Sequence, residues 1–316
     1  MPVLFLRSFS CLKAALLVSA LSLPVAPALA QEGNSGPYLA AIVAGAESDY
    51  AAAAAWYARA MLRDPTNPTL LTGAVVANLS IGEIGLAAEA GGRLIATGSK
   101  SQPATLALVT DAAKAGNYDA ILTALAQGQT AGALVDQLII AWSELGAGRM
   151  SEALAGFDRL AKTQGVEAFG LYHKALALAS AGDFEGADDI LSGRANGPLS
   201  VMRRGVIAHV QILSQLERNA DAIALLDSTF GTSQDPQIAD LKRRLAAGEP
   251  IPFDVARTAS EGLAEVFFSL ATALNGEAEN GFTLLYTRAA THLRPDHTEA
   301  ILLTAGLLEL QGQFDM

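Results

Sequence analysis

A short turn signature recurs along this chain at a nearly constant interval. Gly82-Glu83-Ile84, Gly116-Asn117-Tyr118, Gly148-Arg149-Met150 and Gly182-Asp183-Phe184 follow one another at spacings of 34, 32 and 34 residues, and Gly312-Gln313-Phe314 repeats the pattern near the end. Fixed periods of this size mark stacked supersecondary units rather than one globular core. Apolar residues on both sides of each turn fall at i, i+3, i+4 and i+7, as in Leu134–Leu145 and Glu152–Lys162, which predicts a helix before and after every glycine. Glycine supplies the left-handed conformation that lets one helix stop and the next begin antiparallel to it. The expected fold class is therefore all-α, an α-solenoid of antiparallel helix pairs.

Small residues recur where paired helices must approach closely. The first helices (A) carry Ala41, Val75, Val109, Ala141, Ala175 and Val210, then Ala271 and Ala305. The second helices (B) carry Ala53, Ala87, Ala153, Ala187 and Ala222, with Tyr57, Leu125, Phe157, Leu191 and Leu226 to fill the grooves. Together with the period, the closing Asp64-Pro65 and Arg294-Pro295, and tyrosines at 50 and 57, this resembles the tetratricopeptide repeat (TPR) family over most of the chain. The resemblance implies a right-handed superhelix whose A helices line a concave groove that binds peptides or helices. Six units are expected at 34–66, 68–100, 102–133, 134–166, 168–201 and 203–235, an array over 31–235. An irregular helix and linker over 236–262 follows, either a decayed repeat or a kink between subarrays. Asp254 is expected to cap a long helix ending near Leu274. Residues 263–316 hold one further unit and an incomplete last one, in which helix A at Thr298–Leu310 has no helix B after it. That favours a chain continuing past Met316.

Residues 1–30 have a basic start at Arg7 and Lys13, an apolar run from Ala14 to Leu23, and Ala28-Leu29-Ala30 before Gln31. This predicts a secretory signal cleaved before Gln31, export to the periplasm, and no stable membrane insertion afterwards. The single cysteine, Cys11, lies inside it, so the processed chain has no disulfide or thiol chemistry. The formal charge of the whole chain is −11. Residues 1–30 contain two of the 21 basic residues and none of the 32 acids, so the processed chain carries −13. With no basic stripe, nucleic acid is excluded as a partner.

No catalytic constellation is legible. His173, His209, His292 and His297 have no metal-ligand spacing, no phosphate loop or nucleophile elbow occurs, and no cofactor is expected. His173 and His209 read as core or groove histidines, the 292–297 segment as a solvated loop, and Asp188-Asp189 as solvated. The chain is expected to be a non-enzymatic scaffold that binds a protein or peptide partner. The alternative is the N-terminal recognition portion of a larger envelope enzyme or export component. Carrying the family's groove register onto this chain implies a nearly uncharged stripe that includes Tyr38, Val76, Leu138, Trp142, Tyr172, Leu176, Ile207, Gln211 and Phe268. Trp142 and Tyr172 are its expected aromatic anchors. The competing account of the same stripe is that it packs between helices.

Overall fold

A computed structural model describes residues 35–231 and 235–315. The expected signal at 1–30 and Cys11 lie outside the described residues. Among these there are sixteen helices and no strand. The chain opens with α1 (Ser35–Ala46) and α2 (Tyr50–Met61), then α3 (Pro68–Ile81) and α4 (Ile84–Ala96), then α5 (Gln102–Lys114) and α6 (Tyr118–Ala126). The second half of the array is α7 (Ala133–Gly146) with α8 (Met150–Leu160), α9 (Glu167–Ser180) with α10 (Phe184–Leu191), and α11 (Arg203–Gln215) with α12 (Asn219–Phe230). Each helix packs on the next in sequence, giving an all-α, solenoid-like architecture.

One turn geometry builds all six pairs. In each, a residue at positive φ is followed by a backbone N–H that reaches back five residues to a carbonyl of the preceding helix. Examples are Glu83 N to Asn78 O at 2.9 Å and Asp183 N to Leu178 O at 3.0 Å. This 6→1 bond is the Schellman closure, which satisfies carbonyls left over at a helix end. Four pairs place glycine at the positive-φ site, but the first uses Ser48 and the sixth Glu217, at φ 59 and 57. A search for glycines misses both. With them included, the turn residues are 48, 82, 116, 148, 182 and 217, so an interval of 32 to 35 residues runs through the whole array. The residue seven before each turn (Ala41, Val75, Val109, Ala141, Ala175, Val210) is at most 1 % exposed. The residue five after it is equally enclosed, an alanine everywhere except Ile121.

The remaining helices are α13 (Pro236–Ala246), α14 (Ala259–Leu274), α15 (Asn280–Leu293) and α16 (Thr298–Leu310). They do not simply extend the stack. After α13, held by a small core of its own with α11 and α12, the chain turns back. α14 packs on α7 and α9, and α15 on α3 and α5, so the two helices lie along the face formed by the first helices of the pairs. α16 packs on α15. The Tyr50 hydroxyl donates to Gln311 Oε1 at 2.7 Å, and Tyr50 also shares an apolar cluster with Leu284, Leu307 and Leu308. The end of the described chain thus meets its beginning. The N-cap of α14 is Thr258, whose hydroxyl accepts from Glu261 N. The expected cap, Asp254, instead exchanges two hydrogen bonds with the Gln211 amide and pins the linker to α11.

Candidate functional site

Seven of the nine residues read as an open stripe from the sequence are covered. Leu138, Trp142, Tyr172, Leu176, Ile207, Gln211 and Phe268 are all buried, and Tyr38 and Val76 are half-buried. Trp142 has no exposed surface. Its indole N–H donates to His173 Nδ1 at 3.2 Å, and its ring meets Phe157 edge-on at 5.6 Å between centroids. The helix that lies over it is α14. A Cβ added to Gly262 would stand 2.3 Å from the indole, so glycine there is the notch that receives the ring. Trp142 and Tyr172 are therefore core residues in this structure, not open anchors. Phe268 does not line the face at all, because it belongs to the helix lying in it and packs its ring 4.6 Å from His297. The physical reason is simple: an uncharged apolar stripe must be covered, and this chain carries its own apolar helix to cover it.

At one end of the covered stripe sits a polar cluster that the sequence did not reveal. Arg204 of α11 donates through Nε to Glu265 Oε1 of α14 at 2.7 Å and through Nη1 to Glu299 Oε2 of α16 at 3.0 Å. Arg203 joins Glu299 to Asp235, at 3.2 and 2.7 Å. His297 Nε2 lies 3.2 Å from Glu265 Oε1, while its Nδ1 accepts from Ala300 N and caps α16. His297 is 1 % exposed and packed inside, while Pro295 and Asp296 of the same loop are exposed, as expected. Burial pushes Glu265 up, but His297 and Arg204 outweigh it and hold the carboxyl below its ordinary value. Burial also pushes the Tyr172 hydroxyl well up, with the Glu265 charge adding to it. His173 is lowered to about 4, chiefly by burial.

A second cluster corrects another expectation. Asp188 is 1 % exposed and bonds His209, Arg194 and Arg218, whereas its neighbour Asp189 is exposed. Burial would raise Asp188, and those three partners more than reverse it. In each cluster one enclosed carboxylate, Glu265 or Asp188, is tied to guanidinium groups and joins helices. Among the described residues no group of three or more His, Cys, Asp or Glu could hold a metal ion, and no helix is long and apolar enough to cross a membrane.

Exposed apolar surface remains on α16 and the turn that follows it. Ile301, Leu302, Leu310 and Phe314 are 43, 66, 72 and 78 % exposed, and Ala305 is exposed between them. A cavity of about 360 Å³ opens beside them, lined by Ile301, Ala305, Leu308 and Phe314 with Arg288 and Glu309 among its polar members. The helical repeat and its internally filled face define an all-α, solenoid-like protein. No protein-family model matches the chain, and a search of curated proteins finds no match.

Proposed function

We propose that this chain is a non-enzymatic, TPR-like scaffold of the periplasm, exported by its N-terminal signal, that binds another protein through apolar helix packing. The observation that carries the reading is the disposition of its apolar surface. The inner stripe is already used to hold α14 and α15, while the outer face of α16 stays uncovered. Contiguous exposed apolar surface on a soluble chain is costly unless a partner uses it. The interval of 32 to 35 residues, continued through Ser48 and Glu217, supports the family resemblance. The partner site therefore shifts from the stripe around Trp142 to apolar surface that remains open, on α16 and also on α1 at Leu39, Ile42 and Val43.

A photocrosslinking amino acid placed at Leu302, and in a second variant at Leu86 on α4, tests this in native envelope. Both positions are exposed, at 66 and 54 %. A discrete crosslinked protein is the expected result. Its absence at every exposed apolar position would remove the scaffold reading.

A further inference from the structure

Where α9, the approach to α11 and the second half of α14 meet, they leave a cavity of about 320 Å³ between them. Phe169 and Tyr172 form one wall, Val201 and Met202 the second, Ser269 and Thr272 the third. The size falls at the lower end of the roughly 300–1,000 Å³ of small-molecule sites. The second wall comes from an enlarged connection. Eleven residues, 192–202, join α10 to α11, where five or six suffice at each of the four earlier joins between pairs. Gly205 then lets that wall close on the first. A Cβ there would stand 2.6 Å from Val201 Cβ and 3.2 Å from a ring carbon of Tyr172.

Ser269 gives the cavity an unanswered polar group. It is 2 % exposed, and its hydroxyl has no hydrogen-bond partner among the described residues. Other enclosed hydroxyls on these helices return to the carbonyl one turn back: Thr110 to Leu106 O at 2.7 Å, Thr304 to Ala300 O at 2.7 Å, and Thr272, on the same wall, to Phe268 O at 2.9 Å. Ser269 makes no such bond, and a buried hydroxyl left unpaired is costly. No charged side chain lines the cavity among the described residues. Glu265, one turn earlier on α14, is already tied to Arg204 at 2.6 Å. A charged ligand would therefore lose its hydration without gaining a partner of opposite sign.

We propose that this cavity binds a small, uncharged, largely apolar molecule carrying one hydroxyl group, which pairs with the Ser269 hydroxyl while the apolar body lies between Phe169, Val201 and Met202. The aromatic and thioether walls supply contact area, and the single polar group fixes the orientation. The cavity is separate from the exposed apolar surface that the scaffold reading uses, so neither depends on the other.

The probes are 4-ethylphenol, ethylbenzene and 4-ethylbenzoate, titrated into the full chain labelled with 13C at its methionine methyl groups. The Met202 methyl reports on the cavity, and that of Met150, on another helix, serves as the control. 4-Ethylphenol should shift the Met202 signal saturably with Kd below about 1 mM and leave Met150 in place. Ethylbenzene, which lacks the hydroxyl, should bind roughly fivefold more weakly, and the charged benzoate at least about tenfold more weakly. Ser269→Ala should erase the difference between the phenol and ethylbenzene while keeping or raising the melting temperature, since it removes an unpaired hydroxyl. Ala273→Trp, at an exposed position on the rim, should weaken the phenol about tenfold without moving the melting temperature. Absence of a saturable Met202 shift would overturn the proposal. So would equal binding of phenol and ethylbenzene, a difference between them that survives Ser269→Ala, or phenol affinity unmoved by Ala273→Trp. A photocrosslinker at Met202 that captures a protein in native envelope, with no saturation by the phenol, would give the cavity to a partner's side chain and overturn it too.

Discussion

The Trp142 indole and the missing side chain of Gly262 form one fitted contact, and they account for much of how α14 is seated. Gly262→Ala forces a Cβ into a ring with no room to move, so it should cost about 1–3 kcal/mol. Trp142→Ala should cost about 3–5 kcal/mol by leaving a cavity. In the double variant the glycine effect should largely vanish, because the ring it clashes with is gone. Denaturant melts of the four proteins measure this, and additive losses would show that the contact is not the one described. His173 beneath the same indole gives a pH signature. Its pKa is about 4 when folded against 6.5 as the ordinary value, so the unfolded chain takes up a proton first as pH falls. The stabilisation is complete above about pH 6.5 and is lost progressively towards pH 4, by roughly 3 kcal/mol in all. His209, also lowered by burial, adds in the same direction. His173→Gln keeps an acceptor for the indole N–H and should flatten the dependence of melting temperature on pH between 4 and 6.5. An unchanged slope would mean that His173 takes up its proton without unfolding.

Helices α11, α14 and α16 are far apart in sequence and meet at Arg204, Glu265 and Glu299. A buried ion pair of this kind adds little net stability over an apolar pair, yet removing one member strands the other's charge. Arg204→Ala should therefore destabilise by about 3–5 kcal/mol, whereas Arg204→Met with Glu265→Met should recover part of that loss, the remainder reflecting the contacts that Glu299 and His297 lose. Thermal melts of the two compare them directly, and a double variant as damaged as the single would assign the loss to packing instead. The linker ahead of α14 is set by the same economy of contacts. Ile251 N donates to Ser214 Oγ at 2.9 Å, Gln215 donates to Ile251 O at 2.7 Å, and Arg204 and Arg294 both reach Val255 O. These bonds direct the chain from α13 back along the inner face, where an unpinned Gly248–Pro252 segment would leave α14 free to stack at the end.

At the scale of the molecule, the returning helices change how the array holds together. In an open solenoid each unit touches only its neighbours, so stability is a sum of local terms. Here α14 and α15 join α3, α5, α7 and α9 into one continuous apolar core, in which Trp142 and Gly262 are 120 residues apart. The α11–α13 end has a separate, much smaller core built on Val210, Leu226, Ile238 and Leu241. Native-state hydrogen exchange should show α12 and α13 opening at lower free energy than α7, α14 and α15, which should exchange together. Uniform protection across all sixteen helices would contradict a divided core.

The sequence by itself determined what is local. A left-handed residue followed by a 6→1 bond needs only a few consecutive residues, and the helix pairs around it need only 3.6-residue periodicity, so the six pairs were legible from Gly82 to Gly182 and in outline beyond. Ser48 and Glu217 escaped because side-chain identity there does not announce positive φ. The stripe from Leu138 to Ile207 was legible as apolar, and apolarity states that a surface will be covered without stating by what. Only the tertiary structure decided that α14 covers it, since the evidence is a notch at Gly262 that resembles any helical glycine and an ion pair between residues 204 and 265. Long-range contacts depend on where two distant faces meet, and no window of consecutive residues encodes that meeting. For the same reason Asp188 and His297 looked solvated in sequence and are enclosed in the fold.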